Sequence, residues 1–308
     1  MEAIPGESTP GESAPAEPMV ERRLAIPGSS LYYRLWPAPG SERVLLLAHG
    51  FASNSSRWQG FADATALRGQ WNIIAPDLRG HGRSPWRGRL HCGHWVDDFA
   101  RILDAEGFAR AVIGGHCLGA NTALRFAARQ PQRTSGLVLI EPMVPAALGG
   151  RLGRLRRLRG VLPLLALPIR ALNALGIRRR RLPVLDLGAL DRETRAHMHD
   201  SGDTGALVKR YGSIRHDLHY MATAAYVQAL GEIVRPLPPL QDISAPALVL
   251  LSTGGLFGDP AHTRRVMRTL PSVDLEELSA HHWIPTEQPE AMAAAIESWL
   301  GRHEPGPT

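Results

Sequence analysis

A cysteine flanked by glycines is the residue of this chain best suited to covalent chemistry. Cys117 stands at the centre of the pentapeptide GHCLG, residues 115–119, which follows the apolar run 111–113 and precedes a stretch with helical periodicity. Gly115 and Gly119 lack the Cβ atoms that would clash in a tight strand-to-helix turn. Such a turn exposes the sulfur beside a helix N-terminus, whose partial positive charge favours the thiolate. The spacing therefore predicts a nucleophilic thiol at Cys117.

Three further segments accompany this pentapeptide, each next to a predicted element. HGF at residues 49–51 ends the apolar run 43–48, DLRGHGRS at 77–84 follows the next run, and HHW at 281–283 precedes a C-terminal helical pattern. The order and spacing of these motifs resemble the α/β-hydrolase family, in particular its cap-bearing branch, over residues 22–301. The resemblance implies a triad arranged along the chain as nucleophile, acid and histidine.

The base and the oxyanion-binding groups follow from this resemblance. His282 corresponds to the family's histidine, and its neighbour His281 is the alternative. A neutral imidazole can accept the Cys117 proton and later return it to a leaving group. The turn geometry assigns the Leu118 amide to an oxyanion hole, and the resemblance adds the Phe51 amide.

The acid departs from the family pattern. The position at which relatives carry an aspartate falls on Gly255, and Asp259 lies four residues later. Glu141 directly follows the apolar run 136–140, and some haloalkane dehalogenases place their acid after this earlier strand. We therefore expect Glu141 to orient His282, with Asp259 as the alternative acid. The other interpretation of Glu141 is a structural carboxylate at the mouth of the cap.

The alternation of apolar runs with helical stretches predicts an α/β fold, a doubly wound, mostly parallel sheet. A helical cap inserted after the sixth strand of that fold is expected at 142–244, where helical periodicity replaces strand patterns. The predicted strands are 31–35, 43–48, 72–75, 111–113, 136–140, 247–251 and 273–278, and the predicted helices include 56–67, 94–106, 118–129, 260–270 and 289–300. The resulting division is a disordered tail at 1–20, core at 21–141 and 245–302, the cap between them, and a tail at 303–308.

The net charge of +6 comes from one segment. Residues 151–181 contain ten arginines and no acid, so the rest of the chain sums to 6 − 10 = −4. Three interpretations remain open. Arg178, Arg179, Arg180 and Arg181 could dock the phosphates of coenzyme A or an acidic acyl carrier protein. The segment could instead contact anionic lipid, or form a solvated face of the cap.

Composition excludes several classes of protein. No nucleic-acid-binding motif is present, and the longest apolar run, 161–169, is too short to span a membrane. Two cysteines cannot build a disulfide framework, and free thiols favour a cytoplasmic location. The spacing of His91, Cys92 and His94 matches no zinc template. We expect neither metal nor cofactor.

The function predicted from these residues is acyl transfer through a Cys117 acyl-enzyme, as in a thioesterase, esterase, acyltransferase or cyclase. Attack of a thiolate on a thioester exchanges one thioester for another, whereas attack on an ordinary amide is uphill, which favours thioesters and activated esters. A dienelactone-hydrolase-like cleavage of C–O or C–C bonds is the alternative enzyme. A non-catalytic binding protein is the alternative of another class, because the usual aspartate is missing at Gly255.

Overall fold

A computed structural model describes residues 17–179, 181–201 and 211–303 of the 308-residue chain. Most of the predicted N-terminal tail, 1–16, and most of the C-terminal tail, 304–308, lie outside the described residues. The last residue assigned to the N-terminal tail, Val20, begins the first strand of the sheet.

An eight-stranded sheet forms the centre of the molecule, in the order β1-β2-β4-β3-β5-β6-β7-β8. β1 and β2 are antiparallel to each other, β2 is antiparallel to β4, and all other neighbours are parallel. This arrangement confirms the predicted α/β fold with a mostly parallel sheet. The strands are β1 (Val20–Ile26), β2 (Ser29–Trp36), β3 (Val44–Ala48), β4 (Asn72–Pro76), β5 (Ala111–His116), β6 (Thr134–Ile140), β7 (Ala247–Ser252) and β8 (Val273–Leu278).

The inner strands are buried on both faces, which explains their continuous apolar sequences. Every residue of β3, β4, β5 and β7 is buried. Strand β1 was not predicted, because its sequence VERRLAI carries three charged residues on a largely exposed edge strand. Charged side chains are typical of sheet edges, where they oppose pairing with other chains.

Helices cover both faces of the sheet, as a doubly wound fold requires. Trp95 and Phe126 pack on one face with Leu46, whereas Phe61 and Trp299 pack on the other face with neighbouring Leu45. The helices outside the insertion are α1 (Gln59–Ala64), α2 (Cys92–Ala105), α3 (Leu118–Arg129), α9 (Pro260–Met267), α10 (Ile284–Glu287) and α11 (Pro289–Arg302).

The chain between β6 and β7 forms helices in its described part, at the position where the cap was predicted. These are α4 (Gly150–Leu158), α5 (Leu162–Ala174), α6 (Leu187–Ser201), α7 (Ile214–Tyr220) and α8 (Thr223–Ile233). Since β6 ends on the same edge as β3 and β5, the insertion starts at the carboxyl edge of the sheet, where α/β proteins place their sites. Among the described residues, we find no helix with the length and apolar character that crossing a membrane requires.

Candidate active site

Cys117 occupies a strained turn between a strand and a helix. β5 ends at His116 and α3 begins at Leu118, so the turn consists of one residue. Cys117 adopts φ 54° and ψ −109°, a conformation that non-glycine residues rarely take and that concentrates at functional sites. Its amide donates to the Ile140 carbonyl of β6 at 2.9 Å, which holds the turn against the neighbouring strand.

The two glycines of the pentapeptide are required by close approach to β3. A Cβ atom built on Gly115 or on Gly119 would lie closer than 3.0 Å to the carbonyl oxygen of Ala48. That oxygen belongs to a fully buried strand and cannot move aside. The G-x-C-x-G pattern therefore reflects a helix start pressed onto the end of an adjacent strand.

His282 and Glu141 meet at the carboxyl edge of the sheet. Nδ1 of His282 lies 3.0 Å from Oε2 of Glu141, and the imidazole is almost completely buried. Glu141 directly follows β6 and also takes a positive φ, 49°. Its other carboxylate oxygen accepts from the Ser252 amide at the end of β7. Two adjacent strand ends thus fix the carboxylate that faces the histidine.

The charge state of His282 depends on both partners. Burial, the largest single effect, lowers the pKa of His282, but hydrogen bonds and charge interactions with Cys117 and Glu141 together raise it to about 10. The imidazolium is therefore favoured at neutral pH. An imidazolium next to a cysteine sulfur is the arrangement that prepares thiolate nucleophiles in many enzymes.

The alternative acid and the alternative base have other partners. Asp259 precedes α9, and its Oδ1 accepts from the Ala261 amide at 2.9 Å as the helix N-cap. His281 lies 2.8 Å from Glu287, and its side chain is 38% exposed, against 5% for His282. The structure brings Cys117, His282 and Glu141 together and leaves Asp259 and His281 in structural contacts.

The loop after β7 leaves little room for side chains at Gly254 and Gly255. A Cβ on Gly254 would lie 2.7 Å from the Ala280 carbonyl oxygen, and Gly255 has φ 58° with a prospective Cβ 2.9 Å from Pro260. Backbone contact and a left-handed conformation thus disfavour a larger side chain at both positions. Glu141, from the neighbouring strand, takes the place facing His282.

The residue before the nucleophile, His116, was not singled out in the sequence. Its Nε2 donates to the carbonyl of His282 at 2.9 Å, and the two rings lie 4.8 Å apart. Burial, with the positive field of His282 adding to it, lowers the pKa of His116 well below its usual value, so the ring is neutral. His116 holds the backbone of the base in place; a histidine beside the nucleophile was the only signal of this in the sequence.

The two predicted oxyanion-binding amides flank the turn. Leu118 is the first residue of α3, and the amide of such a residue has no partner within its helix. Phe51 follows Gly50, at which a Cβ would lie 3.4 Å from the Cβ of Cys117. The ring of Phe51 packs on Tyr226 of α8 with centroids 4.8 Å apart, which fixes this loop against the insertion.

A cavity of about 600 Å³ contains Cys117 and His282 in its wall. Core and insertion both contribute to it: Phe51, Arg57 and Trp283 from the core, and Leu152, Leu155, Tyr211, Asp217, Tyr226 and Leu230 from the insertion. Apolar and aromatic side chains with a few polar groups are typical of small-molecule sites.

Arg57 connects the two halves of this cavity. Its Nη1 donates to both carboxylate oxygens of Asp191 on α6, at 2.6 and 2.8 Å, and to Thr286 of α10. Tyr211 donates to the same carboxylate at 2.5 Å. No local pattern predicts this pair, because its members stand 134 residues apart.

Asp217, from α7, lines the cavity. Burial raises its pKa to about 7, and its Oδ2 accepts from the Tyr226 hydroxyl at 3.5 Å.

The arginines predicted to dock a carrier differ in their surroundings. Arg178 and Arg181 are exposed, Arg179 donates to the Met221 carbonyl at 2.7 Å, and Arg180 lies outside the described residues.

His91, Cys92 and Glu232 form a cluster whose ligand-type atoms all lie within 4.8 Å of one another. Its polar groups have protein partners: Nδ1 of His91 accepts from an amide at the start of α2, and Glu232 pairs with Arg235 at 2.6 Å. Burial raises the pKa of Cys92 to about 11. These contacts form a junction between α2 and α8. The Cys92 thiol stays protonated at neutral pH.

Comparison with known proteins agrees with this architecture. The chain matches the Alpha/beta hydrolase family over residues 45–295. It is 28% identical to Lipase LipV of Mycobacterium tuberculosis over 88% of this chain and 98% of that protein. It is 22% identical to the sn-1-specific diacylglycerol lipase ABHD11 of Mus musculus over 88% of this chain and 85% of that protein.

Solved structures share the fold. A thermophilic esterase from Thermogutta terrifontis superposes with a TM-score of 0.64 at 23% identity, over 93% of this chain and 99% of that chain. At this level of identity the likeness shows the fold alone. The match to the family covers most of the chain, from β3 to α11, and includes the turn that carries Cys117 and the loop that carries His282. The chain is a hydrolase that belongs to the alpha/beta hydrolase family.

Proposed function

We propose that this hydrolase acts on acyl esters or thioesters through a covalent intermediate on Cys117. His282 is the general base and acid, and Glu141 orients it. The observation that carries the proposal is the 3.0 Å contact between His282 and Glu141 beside a cysteine in a strained turn. This arrangement of nucleophile, base and orienting acid supports acyl transfer.

In the proposed reaction Nε2 of His282 already holds the Cys117 proton at neutral pH, and the thiolate attacks the substrate carbonyl carbon. A C–S bond forms, and the amides of Leu118 and Phe51 stabilise the negative oxygen. The bond to the leaving group then breaks, and His282 returns the proton to that group. In the second half, His282 deprotonates water or another acceptor, which attacks the thioester and releases Cys117.

The cavity supports a substrate with an apolar acyl group. Leu152, Leu155 and Leu230 line it together with Phe51. Two of the relatives are named as lipases, which favours an ester with a fatty acyl part. Thiolate attack is nearly neutral in energy for thioesters, so a thioester is the second substrate class. Transfer to an amine, alcohol or thiol would use the same acyl-enzyme.

The acyl donor has an alternative source in coenzyme A or an acyl carrier protein. That hypothesis uses Arg178, Arg179, Arg180 and Arg181. The exposed guanidinium groups of Arg178 and Arg181 favour it, whereas the contact of Arg179 with a backbone carbonyl removes one donor from the docking set. We also keep the cytoplasm as the proposed compartment, since a thiol nucleophile must remain reduced and both cysteines are free.

Two other functions are less well supported. Cleavage of C–O or C–C bonds in a dienelactone-like substrate would use the same three side chains. A binding protein without catalysis was suggested by the missing aspartate, but Glu141 faces His282 in its place. The Glu141–His282 contact therefore favours an enzyme over a binding protein.

The test is turnover of a panel of esters and acyl thioesters with graded chain length. Cys117→Ala should remove turnover while the fold persists, since a small side chain fits the turn. Cys92→Ala is the matched control and should retain activity, because Cys92 lies outside the cavity lining. Full activity of Cys117→Ala would overturn the covalent mechanism.

A further inference from the structure

The insertion carries an exposed apolar surface next to the cavity. Eleven large apolar side chains of the described residues are exposed, and nine of them fall between positions 158 and 184. We call these nine the leucine surface: Leu158, Val161, Leu164, Leu165, Leu167, Leu172, Leu175, Ile177 and Val184. Exposed apolar side chains concentrated in one segment in this way indicate an interaction site.

Helix α5 forms the centre of the leucine surface. Its buried side, Leu162 and Ala166, packs on α8, where a Cβ at Gly231 would lie 3.4 Å from Leu162. Away from this side, Leu164 and Leu165 are 59% and 55% exposed. α5 is thus apolar on both sides, although only one side is covered by protein.

Arginines surround this helix. Residues 142–185 contain ten arginines and no acidic residue. Arg154, Arg157 and Arg159 are exposed before α5, and Arg178 and Arg181 are exposed after it. The positive charge favours an anionic partner, and a self-association that places this surface against its own copy would bring like charges together.

An anionic lipid surface meets both requirements, because it offers apolar depth and negative headgroups together. A helix with an exposed apolar face and arginine flanks can bind such a surface in the plane of the membrane. At 13 residues α5 is too short to cross a bilayer, and long arginine side chains can reach headgroups while leucines enter the acyl boundary. An acidic carrier protein would satisfy the charge but leave most of the apolar side chains without a partner.

Helix α4 connects this surface to the cavity. Leu152 and Leu155 line the cavity, whereas Arg154, Arg157 and Leu158 of the same helix are exposed. We propose that the leucine surface and its arginines bind the protein to anionic membranes. Given the proposed function, the acyl substrate then enters the cavity from the lipid side along α4.

The test is co-sedimentation of the full-length protein with vesicles of phosphatidylcholine, alone or mixed in equal parts with phosphatidylglycerol. Wild-type protein should bind the mixed vesicles, bind phosphatidylcholine much more weakly, and lose affinity as salt rises. Leu164→Ser with Leu165→Ser should weaken binding at least about tenfold. Arg157→Gln with Arg159→Gln should weaken it about 30-fold, as two interfacial arginines imply.

The matched control is Arg265→Gln with Arg268→Gln, two exposed arginines outside the insertion, which should bind as wild type does. Cys117→Ala should also bind normally, so a failed catalytic mechanism and a failed membrane site give different results. Circular dichroism and turnover of a short soluble ester should be unchanged in the leucine variant. Absence of binding to mixed vesicles, equal binding by all variants, or a stable dimer that covers the surface would overturn the proposal. Binding to an acyl carrier protein in place of vesicles would overturn it as well.

Discussion

Replacing Glu141 by glutamine removes one charge from the site and leaves most of its geometry. The amide oxygen of glutamine can still accept from the Ser252 amide. Its NH₂ group would then face Nδ1 of His282, at present 3.0 Å from a carboxylate oxygen. An NH₂ group donates, so Nδ1 must become an acceptor and the imidazole proton must move to Nε2. A protonated Nε2 in a neutral ring cannot take the Cys117 proton.

The expected loss in kcat is about two to four orders of magnitude, which is the range for loss of the acid in serine triads. The substitution also removes a hydrogen bond and a charge that raise the pKa of His282, so that pKa should fall. Steady-state kinetics with a soluble ester measure the loss, and thermal unfolding shows whether the fold persists.

Asp259→Asn is the matched control, because Asp259 caps α9 and should affect kcat by less than about twofold. Activity of Glu141→Gln close to wild type would refute the assignment. A large loss in Asp259→Asn alone would transfer the acid role to that residue, and two silent variants would indicate a Cys–His dyad.

Three other measurements bear on the same site. Iodoacetamide should alkylate Cys117 at least tenfold faster than Cys92 near neutral pH, because burial holds the pKa of Cys92 at about 11. Peptide mass mapping measures both rates, and faster labelling of Cys92 would contradict the assignment of Cys117 as the nucleophile. As pH rises through about 10, His282 loses its proton, so kcat/KM should fall there. The stabilisation that comes from the raised pKa of His282 should be complete below 6.5 and be lost as pH rises from 6.5 to about 10; an activity profile flat to higher pH would contradict this ion pair. Gly119→Ala should destabilise the fold by about 3 kcal/mol or more, because the added Cβ would clash with a buried strand carbonyl. Gly60→Ala, with open space around it, should be neutral or stabilising. Similar melting temperatures for both variants would refute the steric argument.

The elements that the sequence predicted are those in which local pattern and tertiary role coincide. The turn at Cys117 needs glycines on both sides because the helix start touches β3, and the pattern of glycines records that contact. The buried strands carry continuous apolar runs. β1 escaped because an exposed edge strand with charged side chains has no apolar run of its own.

Parts of the site depend on contacts between distant segments, which no local pattern encodes. Glu141 and Asp259 both lie after strands of the sheet, so position along the chain does not choose between them as the acid. Only the folded arrangement, with β6 beside β7, brings Glu141 to His282. The pairing of Arg57 with Asp191 depends on how the insertion folds back onto the core. The position of Asp217 in the cavity wall also has no local signal, because helical periodicity alone does not show which helix face the cavity adjoins.

The covalent intermediate can be measured directly. Wild-type protein is mixed with a medium-chain acyl thioester, quenched in acid and analysed by intact-protein and peptide mass spectrometry. The proposed mechanism predicts one added acyl mass on the peptide that contains Cys117, trapped in larger amount in Glu141→Gln if deacylation slows more than acylation. No adduct on Cys117 in a protein that still turns the substrate over, or an adduct on Cys92 instead, would contradict the acyl-enzyme mechanism.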